Sequence, residues 1–535
     1  MTSQFDPGKG VLTRRDVLKY TAYLGVAGGI TTLLGACGTS SSQNSGSQKS
    51  LTAVIGYGNN QSWDPTQTAS AFSMAAILHA YEPLVGGDPI TRAPYAALAK
   101  SLPTDLTGTT LTFELRDGAT WHDGQPVTAD DIVFTYNRVL SPTDNVLIRP
   151  FFSLWLDSVA KTDDHTVTFN LKFPFPYALN RIQTAMILPR HVFDGHWDDA
   201  KAGKVVGSGP YQVTAQVPLS STSFKRFAGY NGPRPAVFET MEWKSIVDAS
   251  ARVATISGSS PQAQIVDNIP AINADTLKAA GRTVQFADGM NNLFLLFNTK
   301  HAPFDNKLVR QALHYAIDGQ QLVAIALKGA GDPAGSYINP KLSGAPASVN
   351  AFPYDPIKAK ALLAQAGASN LSITLQSSNT SVVAASIALI KQNWDAIGVK
   401  TTLAPQDTAA LFSKLDSGFD FQVLTSTGNP MQFGIDPDLL TRFYYSKGSL
   451  WTTKYAGWTT PDADALYALQ DQAAQESDAT KRAALEDQLM QMIADQAVFF
   501  PIVFSTLGTA WDARKLSGVR AQGYPGINLL QAKTV

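Results

Sequence analysis

The chain has 535 residues, 44% of them hydrophobic and only 16% charged, and its 42 lysines and arginines face 43 aspartates and glutamates. That length exceeds what one core holds, since single domains run to roughly 100–200 residues, so several lobes are expected. The apolar content excludes a disordered chain, and the balanced charge excludes nucleic acid as a partner, because phosphate binding needs a concentrated excess of Lys and Arg.

In chain order, the first 50 residues stand apart from the fold. Thr13-Arg14-Arg15-Asp16-Val17-Leu18-Lys19 resembles a twin-arginine export signal, with Val17 where phenylalanine is commonest. Residues 20–36 are modestly apolar and short for a bilayer that needs ~20 apolar residues. They end in Leu34-Gly35-Ala36-Cys37, which resembles a bacterial lipobox, whose cysteine is lipidated and becomes the mature N-terminus. Residues 1–36 are therefore expected to be an export signal and 37–50 a polar Ser/Gly tether, with the protein held by lipid on the outer face of the cytoplasmic membrane. Cys37 is the only cysteine, so a mature domain has neither a disulfide nor a thiol nucleophile.

Residues 51–55 read as a first strand, 59–70 as a polar loop around Trp63-Asp64-Pro65, and 69–80 as a helix leading into Tyr81-Glu82-Pro83-Leu84-Val85. Leu111, Phe113 and Leu115 alternate with polar residues, the period of a strand with one buried face. Asp117 and Gly118 turn the chain. After Trp121-His122-Asp123-Gly124, Thr128 is placed to cap a helix whose first turn carries Asp130 and Asp131 at the positive end of the helix dipole. Val167, Phe169 and Leu171 repeat the alternation, so 166–172 is the expected antiparallel partner. Gly207-Ser208-Gly209-Pro210-Tyr211 reads as a tight turn: no lysine or helix start follows it as in a phosphate loop, and the spacing of a nucleophile elbow is absent. Beyond it, 293–298 read as an apolar strand, 308–328 as one long helix, and 355–367 as a helix with Asp355, Pro356 and Gly367 in the order cap, first-turn proline, terminal glycine. Residues 371–375, 382–397 and 399–403 predict a strand-helix-strand unit with a parallel crossover. A strand at 419–424, a helix at 480–494 and a strand at 498–504, broken by Pro501, complete a second α/β half.

Several of these stretches carry a resemblance. The run T-F-x-L-R-x-G-x-x-W-H-D-G from Thr112, followed by T-A-D-D-I-V-F-T from Thr128, is similar to the signature of the peptide- and nickel-type solute-binding proteins of ABC importers, solute-binding protein family five. Tyr81-x-x-Leu84-Val85 and the glycine turn at 207–211 resemble that family too, and the landmarks follow its order over nearly all of the mature chain. The resemblance implies an α/β, two-lobed fold of the type II periplasmic-binding-protein kind with an extra inserted α+β domain. Domain I would comprise residues 51–82, 207–290 and 506–535, domain II residues 83–206, and domain III residues 291–505. It further implies capture of a small solute, a peptide first of all, between the lobes and delivery to permease and ATPase subunits on other chains. A monomer with no cofactor is expected, and an oligosaccharide or other neutral polar solute, or a surface sensor that keeps the fold without transport, remain alternative readings.

Carried onto this sequence, the family's pocket positions fall at Trp63, Ser70 and Phe72, at Ser377, Ser378 and Asn379, and at Thr427, Asn429 and Phe433. Two departures stand out. Asn429 occupies the place of the aspartate that holds a peptide amine, and no arginine opens the crossover at 377–380 to hold a peptide carboxylate. Neutral amides and hydroxyls suit an uncharged group better, because a buried charge without a partner is costly. His191 and His196, with Asp194, Asp198 and Asp199 nearby, lack the ligand set of a metal site. No nucleophile-base motif or Walker A loop appears, so a binding protein without covalent chemistry is the reading the sequence supports.

Overall fold

Most strands of this computed structural model fall into three sheets, two of them large enough to serve as lobe centres. The structure describes residues 50–58, 63–68, 70–144 and 146–535, so the expected export signal, Cys37 and the expected tether up to residue 49 lie outside the described residues. The first large sheet has seven strands in the spatial order Thr283–Ala287, Leu507–Trp511, Ile265–Val266, Ser50–Ile55, Thr240–Ser245, Ser221–Arg226 and Tyr211–Val217. Ser50–Ile55 lies at its middle, parallel to both neighbours and buried from Ala53 onward, which is why this strand reads as an apolar run and not as an alternation. The C-terminal strand Leu507–Trp511 enters antiparallel and joins segments more than 200 residues apart.

The second large sheet has six strands, in the order Gly331–Pro333, Phe499–Ser505, Asn292–Phe297, Val423–Gly428, Ser372–Ser377 and Lys400–Pro405. Every residue of Asn292–Phe297 is buried. Ser372–Ser377 and Lys400–Pro405 pair in parallel around the helix Ser381–Ala396, as a crossover requires. Three details depart from the sequence expectation. The stretch 308–328 forms two helices, Lys307–Tyr315 and Gly319–Ile325, because Asp318 accepts the N–H of Gln321 at 2.9 Å and starts a new helix. The strand expected at 419–424 begins only at Val423 and runs on to Gly428. Pro501 does not break its strand: Phe499–Ser505 is continuous, and the register slips between Leu293 and Phe294, next to the pairing that contains the proline.

A three-stranded sheet carries the signature run. Thr110–Glu114 alternates exposed and buried residues, and Thr166–Leu171 pairs antiparallel with it and with Leu156–Asp163. The helix Ala129–Leu140 follows, and Asp131 at its third position is a buried hub. Its carboxylate accepts the Thr128 N–H at 2.9 Å, the Arg190 N–H at 2.8 Å and the Trp121 indole N–H at 3.3 Å. A residue chosen for the helix dipole thus also locks the aromatic loop and the next segment in place. The glycine turn at 207–211 is a close approach: a Cβ on Gly207 would lie 1.8 Å from the Ala80 carbonyl oxygen, and one on Gly209 would lie 2.7 Å from the Ala80 carbonyl carbon.

Candidate functional site

The chain crosses between the two large sheets twice, after Thr283–Ala287 and between Phe499–Ser505 and Leu507–Trp511. The two crossings run side by side. The Ser505 N–H donates to the Asn291 carbonyl at 2.7 Å, and the Asn291 amide donates to the Ser505 hydroxyl. Paired connections of this kind form a hinge, since only a few backbone angles need change for the lobes to move as bodies.

Facing surfaces meet beyond the hinge. Asn429 caps the turn Pro430–Gln432 by accepting the Met431 N–H at 3.1 Å, and its amide donates to the Gly523 carbonyl at 2.9 Å on the segment that follows the seven-stranded sheet. Phe433 stacks on Phe443 with ring centroids 5.5 Å apart and leans on Phe151 at 5.6 Å. Beside these rings Arg181 grips Asp436 through two hydrogen bonds of 2.9 and 2.8 Å and Asp438 through one of 2.7 Å. All three side chains are buried. Burial alone would lower the Arg181 pKa, yet the two carboxylates raise it above the ordinary arginine value. Tyr177 adds a hydrogen bond of 2.5 Å to Glu486. The segment of the three-stranded sheet is thereby welded to the six-stranded lobe by rings at the centre and charges at the side.

Between these contacts lies a cavity of ≈ 60 Å³ whose walls come from all three sheets' segments, with Thr68, Met74, Arg92, Thr184, Gln432 and Tyr524 among them. A larger cavity of ≈ 430 Å³, with His314 and Phe352 in its wall, lies wholly within the six-stranded lobe. Ligand sites favour junctions between domains, where several elements supply contacts and a hinge controls access, so the smaller interlobe cavity is the stronger candidate.

The nine candidate ligand residues are placed as follows. Trp63 is fully buried in the core of the first lobe, because its neighbour Asp64 is drawn inward to pair with Arg138, whose guanidinium stacks 3.4 Å from the centre of the Trp197 ring. Ser70 caps the helix Ala71–Ala80 and donates to the Gly58 carbonyl at 3.3 Å. Phe72, the second residue of that helix, packs edge-on to Trp243. Ser377 and Ser378 are buried at the end of their strand, where Ser378 accepts a hydrogen bond of 2.9 Å from Ser426. Asn379 is exposed and accepts from the Thr408 N–H and hydroxyl. Thr427 sits opposite Leu293 in the sheet ladder. Only Asn429 and Phe433 stand at the meeting of the lobes, and none of the nine lines the interlobe cavity, although Pro65, Thr68 and Gln432, their close neighbours in sequence, do. The aromatics are committed to packing, and the serines and asparagines to caps and strand ends. Sequence reasoning missed Arg92, Arg181 and Tyr524. Arg92 and Tyr524 are 432 positions apart and belong to no motif, so no local pattern joins them.

Hinge, paired lobes and interlobe cavity define a clamshell binder, and comparison with known proteins agrees. Residues 93–451 match the family described as bacterial extracellular solute-binding proteins, family 5. The chain belongs to that family. It is similar to the glutathione-binding protein of Escherichia coli K12, 30% identical over 370 residues that cover 66% of this chain and 69% of that one. Its counterpart in Salmonella typhimurium is 31% identical over the same shares. Among solved structures, the agropinic-acid complex of a periplasmic binding protein from Agrobacterium tumefaciens R10 superposes with a TM-score of 0.78 at 23% identity, covering 91% of this chain and 99% of that one. The dipeptide-binding protein of Pseudoalteromonas sp. SM9913 with Met-Leu gives 0.79 at 22%, covering 91% and 100%. At such identities these structures establish the shared two-lobed fold.

Proposed function

We propose that this protein captures a small peptide between its two lobes and presents it, closed, to the permease of an ABC importer whose ATPase lies on other chains. The observation that carries this reading is the interlobe cavity beside a two-strand hinge, in a chain whose relatives include a glutathione-binding protein. In this reading the domains follow the sheets: 51–82, 207–290 and 506–535 around the seven strands, 83–206 around the three, and 291–505 around the six. Lipid on Cys37 would tether a monomer to the outer face of the membrane, and among the described residues no helix is long and apolar enough to cross it. Mechanism then needs no bond chemistry. A solute that touches both lobes lowers the free energy of the closed form, and the permease reads closure.

Asn429 belongs to this site as the residue that ties the loop at 429–433 to the opposite lobe. Titration calorimetry with a panel of di- and tripeptides, glutathione and maltotriose tests the proposal. Micromolar or tighter binding of peptides is expected, and Asn429→Ala should weaken it about 10-fold by loosening the closed form, with an unchanged fold by circular dichroism. Binding of maltotriose alone would overturn the peptide assignment.

A further inference from the structure

We propose that Arg92 is the anchor for a carboxylate on the captured solute, an inference that rests on capture between the lobes and names the charge of what is captured. Arg92 lies in the turn joining Val85–Gly87 to Pro94–Ala96 and adopts a left-handed backbone with φ +59. For a residue with a Cβ this conformation is unfavourable, so the turn has to enforce it. It does so thoroughly. The Arg92 N–H donates to the Asp88 carbonyl at 2.9 Å, the Asp88 N–H to the Ala93 carbonyl at 2.9 Å, and the Asp88 carboxylate accepts the N–H groups of Ile90 and Thr91. Gln183 holds the turn from outside by donating to the Arg92 carbonyl at 3.2 Å. Glycine would serve such a turn without strain, so the side chain is what the position retains.

That side chain is a cation without a counter-charge. Among the described residues no carboxylate lies within ion-pair distance of Arg92, whereas Arg116, Arg138, Arg181 and Arg234 all have one. The acid in its own turn, Asp88, is taken by Arg234 at 2.9 Å and by Gln531. The Arg92 guanidinium leans on the Tyr524 ring, 5.1 Å from its centre, with one long contact of 3.4 Å to the phenol oxygen, and its buried Nε has no partner. Arg92 and Tyr524 together form part of the interlobe cavity wall. A partly desolvated guanidinium with unused donors is what a planar anion requires.

The surroundings choose among anions. Thr68, Gln183, Thr184 and Gln432 are the polar neighbours, the rest of the wall is mostly apolar with Met74 and Leu78 prominent, and no lysine or second arginine lines the cavity. One cation in an apolar setting matches a monoanion carrying a hydrocarbon group, and a phosphate dianion would keep an uncompensated charge. Small-molecule pockets hold roughly 300–1,000 Å³, so a cavity of ≈ 60 Å³ must widen as solute enters. The unbranched side chains of Met74 and Met186 in its wall can yield, and Arg92 can swing off Tyr524.

The test is calorimetry on the full-length protein in detergent with one tripeptide as free acid and as C-terminal amide, an opine as a non-peptide carboxylate, and maltotriose. The wild type should bind the free acid on the order of 10- to 100-fold more tightly than the amide. Arg92→Gln should bring the acid down to the affinity of the amide, leave the amide unchanged, and keep the wild-type melting temperature. Arg92→Lys should restore part of the preference. Equal wild-type affinity for acid and amide overturns the inference without any variant, and so does an Arg92→Gln protein that binds the acid as tightly as the wild type. If the opine alone binds and Arg92→Gln abolishes it, the carboxylate anchor stands and the peptide assignment falls. If maltotriose alone binds, or no carboxylate does, the anchor falls.

Discussion

At the scale of single residues, the structure fixes the protonation of histidines that a sequence leaves open. His79 is buried, donates from Nδ1 to the Ala75 carbonyl and accepts the Leu529 N–H on Nε2 at 3.0 Å. His122 accepts the Gly207 N–H on Nδ1 and donates from Nε2 to the Gly209 carbonyl at 3.0 Å, which clamps the glycine turn. Each ring is neutral by geometry, because a second proton would face a donor. Burial accordingly lowers both pKa values to about 4, and burial with the nearby charge of Arg310 lowers that of His314 to about 3. Below pH 6.5 the unfolded chain takes up these protons and the folded chain does not, so stability is full above 6.5 and falls as pH drops toward 4. Asp267 and Glu82 act in the opposite sense. Burial lifts Asp267 to about 6 and raises Glu82, so folding takes up a proton above their ordinary range and stability falls as pH rises there. Glu486 is raised by burial as well, so three carboxyls oppose the three histidines at the acid end, and near pH 6, where Asp267 ionises, the histidines prevail. The free energy of unfolding in urea should rise as pH approaches 6.5 and then level off, with His79 alone contributing on the order of 3 kcal/mol. His79→Gln should flatten the slope by up to one proton, and an unaltered slope would show that His79 titrates normally in the folded protein.

Between elements, the largest single commitment is the ion pair joining the helix Ala178–Ile182 to the start of the helix Pro437–Tyr444. Asp436 is the cap of the second helix, accepting the Leu439 N–H at 2.9 Å, and at the same time the bidentate partner of Arg181. Arg181→Met should destabilise the protein by roughly 3–5 kcal/mol, because it leaves Asp436 buried without a cation, whereas Asp438 keeps Arg442 at 2.6 Å. Adding Asp436→Asn to it should recover much of the loss, since the charges then go together. Urea denaturation of the two variants decides it: no recovery in the double variant would place the effect in packing. This element also shows where the sequence is legible and where it is not. Asp355 before Pro356 reads as a helix start, and the alternation of residues 110–115, the cap at Thr128 and the crossover from 371 to 403 read equally well, because each is encoded within a few positions. Arg181 finds Asp436 across 255 residues, which no local pattern encodes. Trp63, Phe72 and Phe433 show a second limit. A core ring and a stacking platform look the same in a sequence, and the structure buries all three.

For the whole molecule, function depends on how the free energy of closure is divided between contacts the protein makes alone and contacts the solute adds. A solute shifts the lobes only by its differential affinity for the closed form, so the closed form must not be too stable without it. One backbone contact beside the hinge is suited to measure this balance. Gly289 packs against Gly523 so closely that a Cβ on it would lie 1.8 Å from the Gly523 carbonyl oxygen, the same oxygen that accepts from Asn429. Both neighbours there are backbone, which cannot step aside as a flexible side chain would. Gly289→Ala should therefore push the segment around Gly523 away from the hinge and cost closure while leaving each sheet intact. Small-angle scattering should show a larger radius of gyration than the wild type, with unchanged far-ultraviolet circular dichroism and weaker peptide binding, and saturating peptide should draw the variant back toward the wild-type dimension. Unchanged scattering would mean that the Gly289 contact plays no part in closure, and that the rings around Phe433 and the Arg181 ion pair hold the lobes together by themselves.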